Sequence, residues 1–347
     1  MRVPWPVAIA CSTVTVAAAA ASQMHDDEIR SVGDGASTSS SSSAHVEARQ
    51  ASGNPAVDSF IRRFHPSAAR LGDYLYVDGG SISRLVNDSS QVRAMNATVA
   101  IPLNEAWTNQ TLTMREIDRT LLPNVNLPVL WADPAGNALY TYGGDSIGTN
   151  STYTRAQQYF KFTPAGGGRD GSWSEATPAD AFKFSQLYKP ARSAFTSCNG
   201  VGYSLGGYAY GGTDDRFSGA DSGLPLAGMA TYDFATRLWD NVSLADAFSG
   251  GNSAGGMPGY YPTNGAAVCL PDLGGAGALM FFGGRGLSAN GRDSVPLQLN
   301  DMLIYDIAGK RWLWQGTRGA DGAAGVPRHR RDACAAVGRG RNGTYEV

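Results

Sequence analysis

Chemistry in this chain could reside in a few histidines, cysteines and carboxylates. Of the four histidines, His25 and His45 lie in a polar N-terminal stretch, which leaves His65 and His329. Imidazole is the common metal ligand and the proton carrier near neutral pH. A redox-metal centre would need both rings in one place with oxygen partners. Each instead stands just before a β-rich run in a separate part of the chain, so structural or loop roles are expected. No Gly-x-Ser-x-Gly elbow accompanies either histidine, which argues against a Ser-His-Asp site. Asp78 and the adjacent Asp214 and Asp215 are read as turn residues rather than an acid/base pair. Gly166-Gly167-Gly168 and Gly250-Gly251 lack the Lys-Ser/Thr of a phosphate cradle. No catalytic, metal or cofactor residue is assigned, and no cofactor is expected.

Beyond Cys11 the cysteines are Cys198, Cys269 and Cys334, each near the start of a repeated β-rich unit. Such strands are expected to stand too far apart for a disulfide, so buried thiols are expected, with a partner further along the chain as the alternative. The basic group Arg328, Arg330, Arg331, Arg339 and Arg341 is read as a solvated loop. The net charge is −2 at pH 7, which gives no reason to expect a nucleic acid or an anionic membrane surface as partner.

Residues 1–21 read as a signal peptide: Arg2, an apolar run, then Ala19-Ala20-Ala21 before Ser22. Residues 22–54, with serines at 39–43, lack the apolar content to offset ordering entropy and read as a disordered leader. A secreted or cell-surface location follows as the expectation. Six Asn-x-Ser/Thr sites agree with it as N-glycosylation candidates: Asn87, Asn96, Asn109, Asn150, Asn241 and Asn342. The most apolar later window, Gly265 to Gly284, is interrupted by Pro271, Asp272 and many glycines, so no transmembrane segment is expected within this chain, though one could follow in a longer form.

The elements that position these residues are β-strands. Gly, at 44 residues, is nearly twice the usual share of about 7%, a sign of many tight turns. From Phe60 onward short β-rich runs alternate with Gly, Asn, Asp and Ser clusters. Four of these runs end in a glycine pair: Gly79-Gly80, Gly143-Gly144, Gly206-Gly207 and Gly283-Gly284. After the last two pairs a second signal recurs in register, Tyr232-Asp233 with Trp239 and Tyr305-Asp306 with Trp312.

On these residues the chain, from about 60 to 347, resembles the kelch-repeat β-propeller family, and within it the secreted or membrane-anchored fungal proteins of the galactose oxidase-like propeller superfamily. The resemblance implies an all-β, kelch-type β-propeller of four-stranded antiparallel blades over residues 55–347. The blades are expected at 63–118, 125–178, 190–245 and 263–318, with a fifth starting at 327 that the chain leaves unfinished. In the first blade Ile101 and Trp107 are expected in the Tyr and Trp places. Glycine pairs would let a strand leave its sheet and a neighbouring segment come close, and the Tyr and Trp rings would pack blade on blade. The functional expectation is a non-enzymatic scaffold binding protein or carbohydrate through its loops, and not an enzyme. The alternative is a copper-radical-oxidase-like enzyme with its ligands in blades beyond Val347.

Overall fold

The computed structural model describes residues 60–87, 89–108, 111–146, 159–217, 223–245, 247, 260–318, 326–340 and 344–347. The signal and leader expectations, and Asn109, Asn150 and Asn342, lie outside them. Within the described residues are four four-stranded antiparallel sheets, each taking its strands in chain order. Repeat 1 is Ser67–Leu71, Tyr74–Asp78, Ala97–Pro102 and Arg115–Asp118. Repeat 2 is Val129–Asp133, Ala138–Tyr142, Tyr159–Ala165 and Asp170–Ala176. Repeat 3 is Ala194–Cys198, Val201–Leu205, Gly228–Asp233 and Trp239–Ser243. Repeat 4 is Ala266–Leu270, Ala278–Phe282, Asp301–Asp306 and Arg311–Gly316. The first strands of successive repeats run side by side, so the sheets fan out from a common axis in a propeller-like, all-antiparallel arrangement. Among the described residues no helix is long and apolar enough to cross a membrane.

Strand alternation sends successive side chains to opposite faces. In repeat 1 Tyr76 therefore packs toward Phe162 and Trp173 of repeat 2, while Val77 faces the other way with Val99 and Ile101. That other face is covered by Trp107, Leu112 and Met114, from the connection between the third and fourth strands. Trp107 thus corrects the sequence expectation: it lies before the fourth strand, with its indole N–H donating to the Pro102 carbonyl at 2.9 Å. Between repeats 2 and 3 the core is aromatic, with Trp131, Tyr142, Tyr159, Phe184, Tyr232 and Trp239 in contact. Phe184 comes from the one-turn helix Ala181–Gln186, capped by the Asp180 side chain.

The Tyr-Asp and Trp residues form a turn-closing unit. Tyr232 pairs directly across the strands with Trp239, and Tyr305 with Trp312, with ring centroids 4.7 Å apart in both repeats. The aspartates hold the intervening turns: Asp233 accepts from the Thr236 N–H at 2.8 Å and Asp306 from the Gly309 N–H at 3.1 Å. In repeat 2 Phe162 faces Trp173 in the same way.

The long repeat period has a structural cause. After each glycine pair the chain forms an accessory sheet with the lead-in to its own first strand: Phe60–Phe64 with Ser81–Val86 and Ser89–Ala94; Val125–Asn126 with Asp145–Ser146; and Tyr260–Thr263 with Arg285–Ser288 and Ser294–Pro296. In repeat 3 Tyr208–Tyr210 pairs with Gly223–Pro225 and bridges to Ala191. These accessory sheets share one end of the fan with the lead-ins, because first and third strands both begin there.

Candidate functional site at the axial mouth

Both glycines of every pair have positive φ, from 60° to 100°, which side-chain-bearing residues rarely adopt. The second glycine donates its N–H to the lead-in of the next repeat: Gly80 to the Val125 carbonyl at 2.8 Å, Gly144 to Pro190 at 2.7 Å, Gly207 to Pro262 at 2.9 Å and Gly284 to Arg330 at 2.6 Å. A Cβ on the first glycine would meet the same carbonyl, at 2.3 Å for Gly143 and Pro190. The pairs are latches between repeats, holding each lead-in against the repeat before it.

The chain turns into each first strand through another left-handed residue, which after each of the four latched carbonyls lies two residues further on. These are His65 (φ 57°), Leu127 (52°), Arg192 (65°), Asn264 (56°) and Asp332 (53°). Left-handed backbone at a non-glycine residue costs roughly 1–2 kcal/mol. Five instances at one repeat position mean the surrounding structure imposes it. Part of that imposition is a line of hydrogen bonds about the axis: Leu127 N–H to the His65 carbonyl at 2.8 Å, Asn264 to Arg192 at 2.7 Å and Asp332 to Asn264 at 3.0 Å. The five residues line the mouth of an axial cavity of about 310 Å³ whose walls are the first strands. Asn264 donates its amide to the Asp332 carboxylate, His65 meets Phe64 edge to face, and Arg192 is exposed. The mouth offers cationic, amide, carboxylate and imidazole groups within one cavity, suited to a ligand rich in hydrogen-bonding groups.

The sequence reading placed His65 and His329 at matching positions. The structure puts Asp332 opposite His65 in the repeat, three residues later, and leaves His329 exposed on the lead-in. The ring as a whole escaped the sequence reading, because its five members share a backbone conformation and no residue type.

Two ionic groups are built on buried aspartates. Asp78, read from sequence as a turn residue, ends a strand and is fully buried; Arg119 donates to it through Nε at 2.7 Å and Nη2 at 3.2 Å, and the Thr98 hydroxyl donates to it at 2.7 Å. The Trp173 indole N–H closes this network on Thr98 from repeat 2 at 2.9 Å. Nearby, Arg63 donates to the carbonyl of Gly79, the first glycine of a pair, and burial pulls Arg63 down to about 10 against the attraction of Asp78. Asp214 is likewise buried, with Arg216 on both its oxygens at 2.8 and 2.6 Å and the Lys189 backbone N–H at 2.9 Å. Burial alone would raise the Asp214 carboxyl, but these hydrogen bonds hold it below its ordinary range. Lys189 is only 4% exposed, its ammonium 4.5 Å from the Phe184 ring and donating to the Leu187 carbonyl at 3.1 Å; burial lowers it to about 8. Arg216 lies over the Tyr188 ring at 4.1 Å.

Cys198 and Cys269 form a disulfide with Cα atoms 5.4 Å apart, which corrects the expectation of thiols. That expectation took first strands of neighbouring repeats as divergent. They are where the fan is narrowest, so the two chains come within disulfide reach. Cys334 is exposed on the cavity wall. Of the glycosylation candidates, Asn87, Asn96 and Asn241 are exposed, Asn87 with φ of 48° at the turn between Ser81–Val86 and Ser89–Ala94. Arg328, Arg330 and Arg339 are exposed, and Arg339 pairs with Asp272 at 2.9 Å.

No family model matches the chain, and no curated protein matches it. Among solved structures, one titled "Structure of YjhT" is similar, at 14% identity over 82% of this chain and 79% of that chain, with a TM-score of 0.48.

Proposed function

We propose that this chain is a kelch-type propeller acting as a non-enzymatic recognition scaffold of the secretory pathway or cell surface, which binds carbohydrate or a polar protein segment at the axial mouth. The observation that carries the reading is the set of five left-handed residues around the cavity. Strain held at one position in every repeat is a recognised mark of a functional site, and here it presents His65, Arg192, Asn264 and Asp332 together. The kelch assignment is supported by glycine pairs after each second strand, Tyr-Asp ending the third strands of repeats 3 and 4, and Trp facing that Tyr. The secretory assignment is supported by the Cys198–Cys269 disulfide, since such bonds persist in oxidising compartments. The accessory sheets form a rim around the mouth and are joined to one another: the Tyr210 hydroxyl donates to Asp145, and the Ser146 N–H donates to the Gly212 carbonyl at 3.0 Å.

The test is a screen of purified protein on arrays of glycans and peptides, repeated with Arg192→Ala, whose side chain is exposed and outside the core. Binding that falls at least tenfold in the variant, with the melting temperature unchanged, is the expected result. Binding that is equal in both proteins would overturn the mouth as the site.

A further inference from the structure

A second cavity, of about 170 Å³, lies in the wedge between repeats 3 and 4. Its floor is apolar and buried: Ala194, Leu205, Phe281 and Leu303. Phe282, Tyr260 and Trp314 line its sides, and the exposed Gln298 and Asn300 mark its opening. The repeat allows an internal comparison. Taking the glycine pairs and the Tyr–Trp pairs as register marks, Phe281, Leu303 and Trp314 correspond to Ser204, Ala230 and Asn241. Those three residues line a cavity in the preceding wedge, between repeats 2 and 3. The same place in the fold is thus small and polar in one wedge, and aromatic and aliphatic in the next.

Among the described residues, the side chains of the aromatic wedge leave a cavity open between them. The Trp314 indole N–H is held by the Ala247 carbonyl at 2.9 Å, which fixes the ring as a wall. Asp301 lines the opening, and among the described residues its carboxylate has no hydrogen-bond or ion-pair partner. An apolar cavity of about 150 Å³ is large enough to admit a benzene-sized ring. A carboxylate at the opening of such a cavity favours a cation attached to that ring.

We propose that the wedge between repeats 3 and 4 is a binding site for a small aromatic amine, with its ring among Phe281, Leu303 and Trp314 and its ammonium at Asp301. The site is separate from the ligand-binding reading of the mouth, although the backbone of Gly265 contributes to the walls of both cavities.

The experiment titrates the full chain, disulfide intact, with phenethylamine and with neutral indole, following the methyl resonances of Leu205 and Leu303 by NMR. Both probes are expected to shift these methyls saturably. Asp301→Asn is expected to weaken phenethylamine about tenfold and leave indole unchanged. Leu303→Phe fills the cavity and is expected to abolish both while preserving the melting temperature. If that variant does not fold, Phe281→Trp, which narrows the same space, takes its place. Absence of saturable shifts, shifts that persist in the filled variant, or equal loss of both probes on Asp301→Asn would overturn the proposal.

Discussion

Asp78 and Arg119 form an ion pair at 2.7 Å in which the side chains are 0% and 1% exposed. Taking two charges out of water is expensive, and the pair is sustained only because its remaining hydrogen-bonding capacity is used by Thr98 and by the Pro123 carbonyl. Arg119→Ala would leave a buried carboxylate uncompensated and is expected to cost about 3–5 kcal/mol. The double variant Asp78→Leu, Arg119→Met is expected to recover most of that loss. Urea denaturation of the three proteins reads both effects.

The glycine latches can be separated from simple backbone strain. Gly143 has φ of 67° and its added Cβ would lie 2.3 Å from the Pro190 carbonyl; Gly167 has φ of 72° and nothing within 4 Å. Gly167→Ala is expected to cost only the left-handed penalty of about 1–2 kcal/mol. Gly143→Ala should cost at least twice as much, because the lead-in of repeat 3 must move. Equal losses in thermal melts would show that the contact between repeats contributes nothing.

Lys189 should make stability depend on pH in the alkaline range. Burial lowers its folded-state value to about 8, whereas in the unfolded chain a lysine keeps its proton to about 10.4. Between these values the unfolded state binds more protons, so stability rises with pH, by at most about 3 kcal/mol across the window. Denaturation at pH 7.5 and 9.5 should show the rise, and Lys189→Met should remove it. The upper limit of the test is set by tyrosines such as Tyr142, which burial pushes up in the folded state, so that stability falls again once unfolded tyrosines ionise.

The Cys198–Cys269 bond closes a sequence separation of 71 residues between two inner strands. Replacing both cysteines by Ala is expected to lower stability by about 2–4 kcal/mol. Peptide mapping without reduction should recover the linked pair; both residues alkylated without prior reduction would contradict the assignment.

What the sequence made legible follows from the kind of constraint each residue carries. Gly143-Gly144 and Tyr232-Asp233 with Trp239 are visible because positive φ and cross-strand ring packing demand particular residue types. The disulfide was not, because strand spacing depends on distance from the axis. Neither was the ring at the mouth: Leu127 and Arg192 hold the same backbone angle as Asn264 and share nothing else with it. Asp78 misled because an aspartate beside glycines suits a turn, whereas Asp214 does sit in a turn, accepting from the Arg216 N–H; what the sequence hid in both is that Arg119 and Arg216 make each a buried anion.

The central claim, that recognition occurs at the axial mouth, is tested most directly by hydrogen–deuterium exchange with and without a ligand taken from the array screen. Ligand should slow exchange in the lead-in segments 190–195 and 262–267, which carry Arg192 and Asn264, and leave the outer strands Trp239–Ser243 and Arg311–Gly316 unchanged. Protection confined to those outer strands, with the lead-ins exchanging as before, would contradict it.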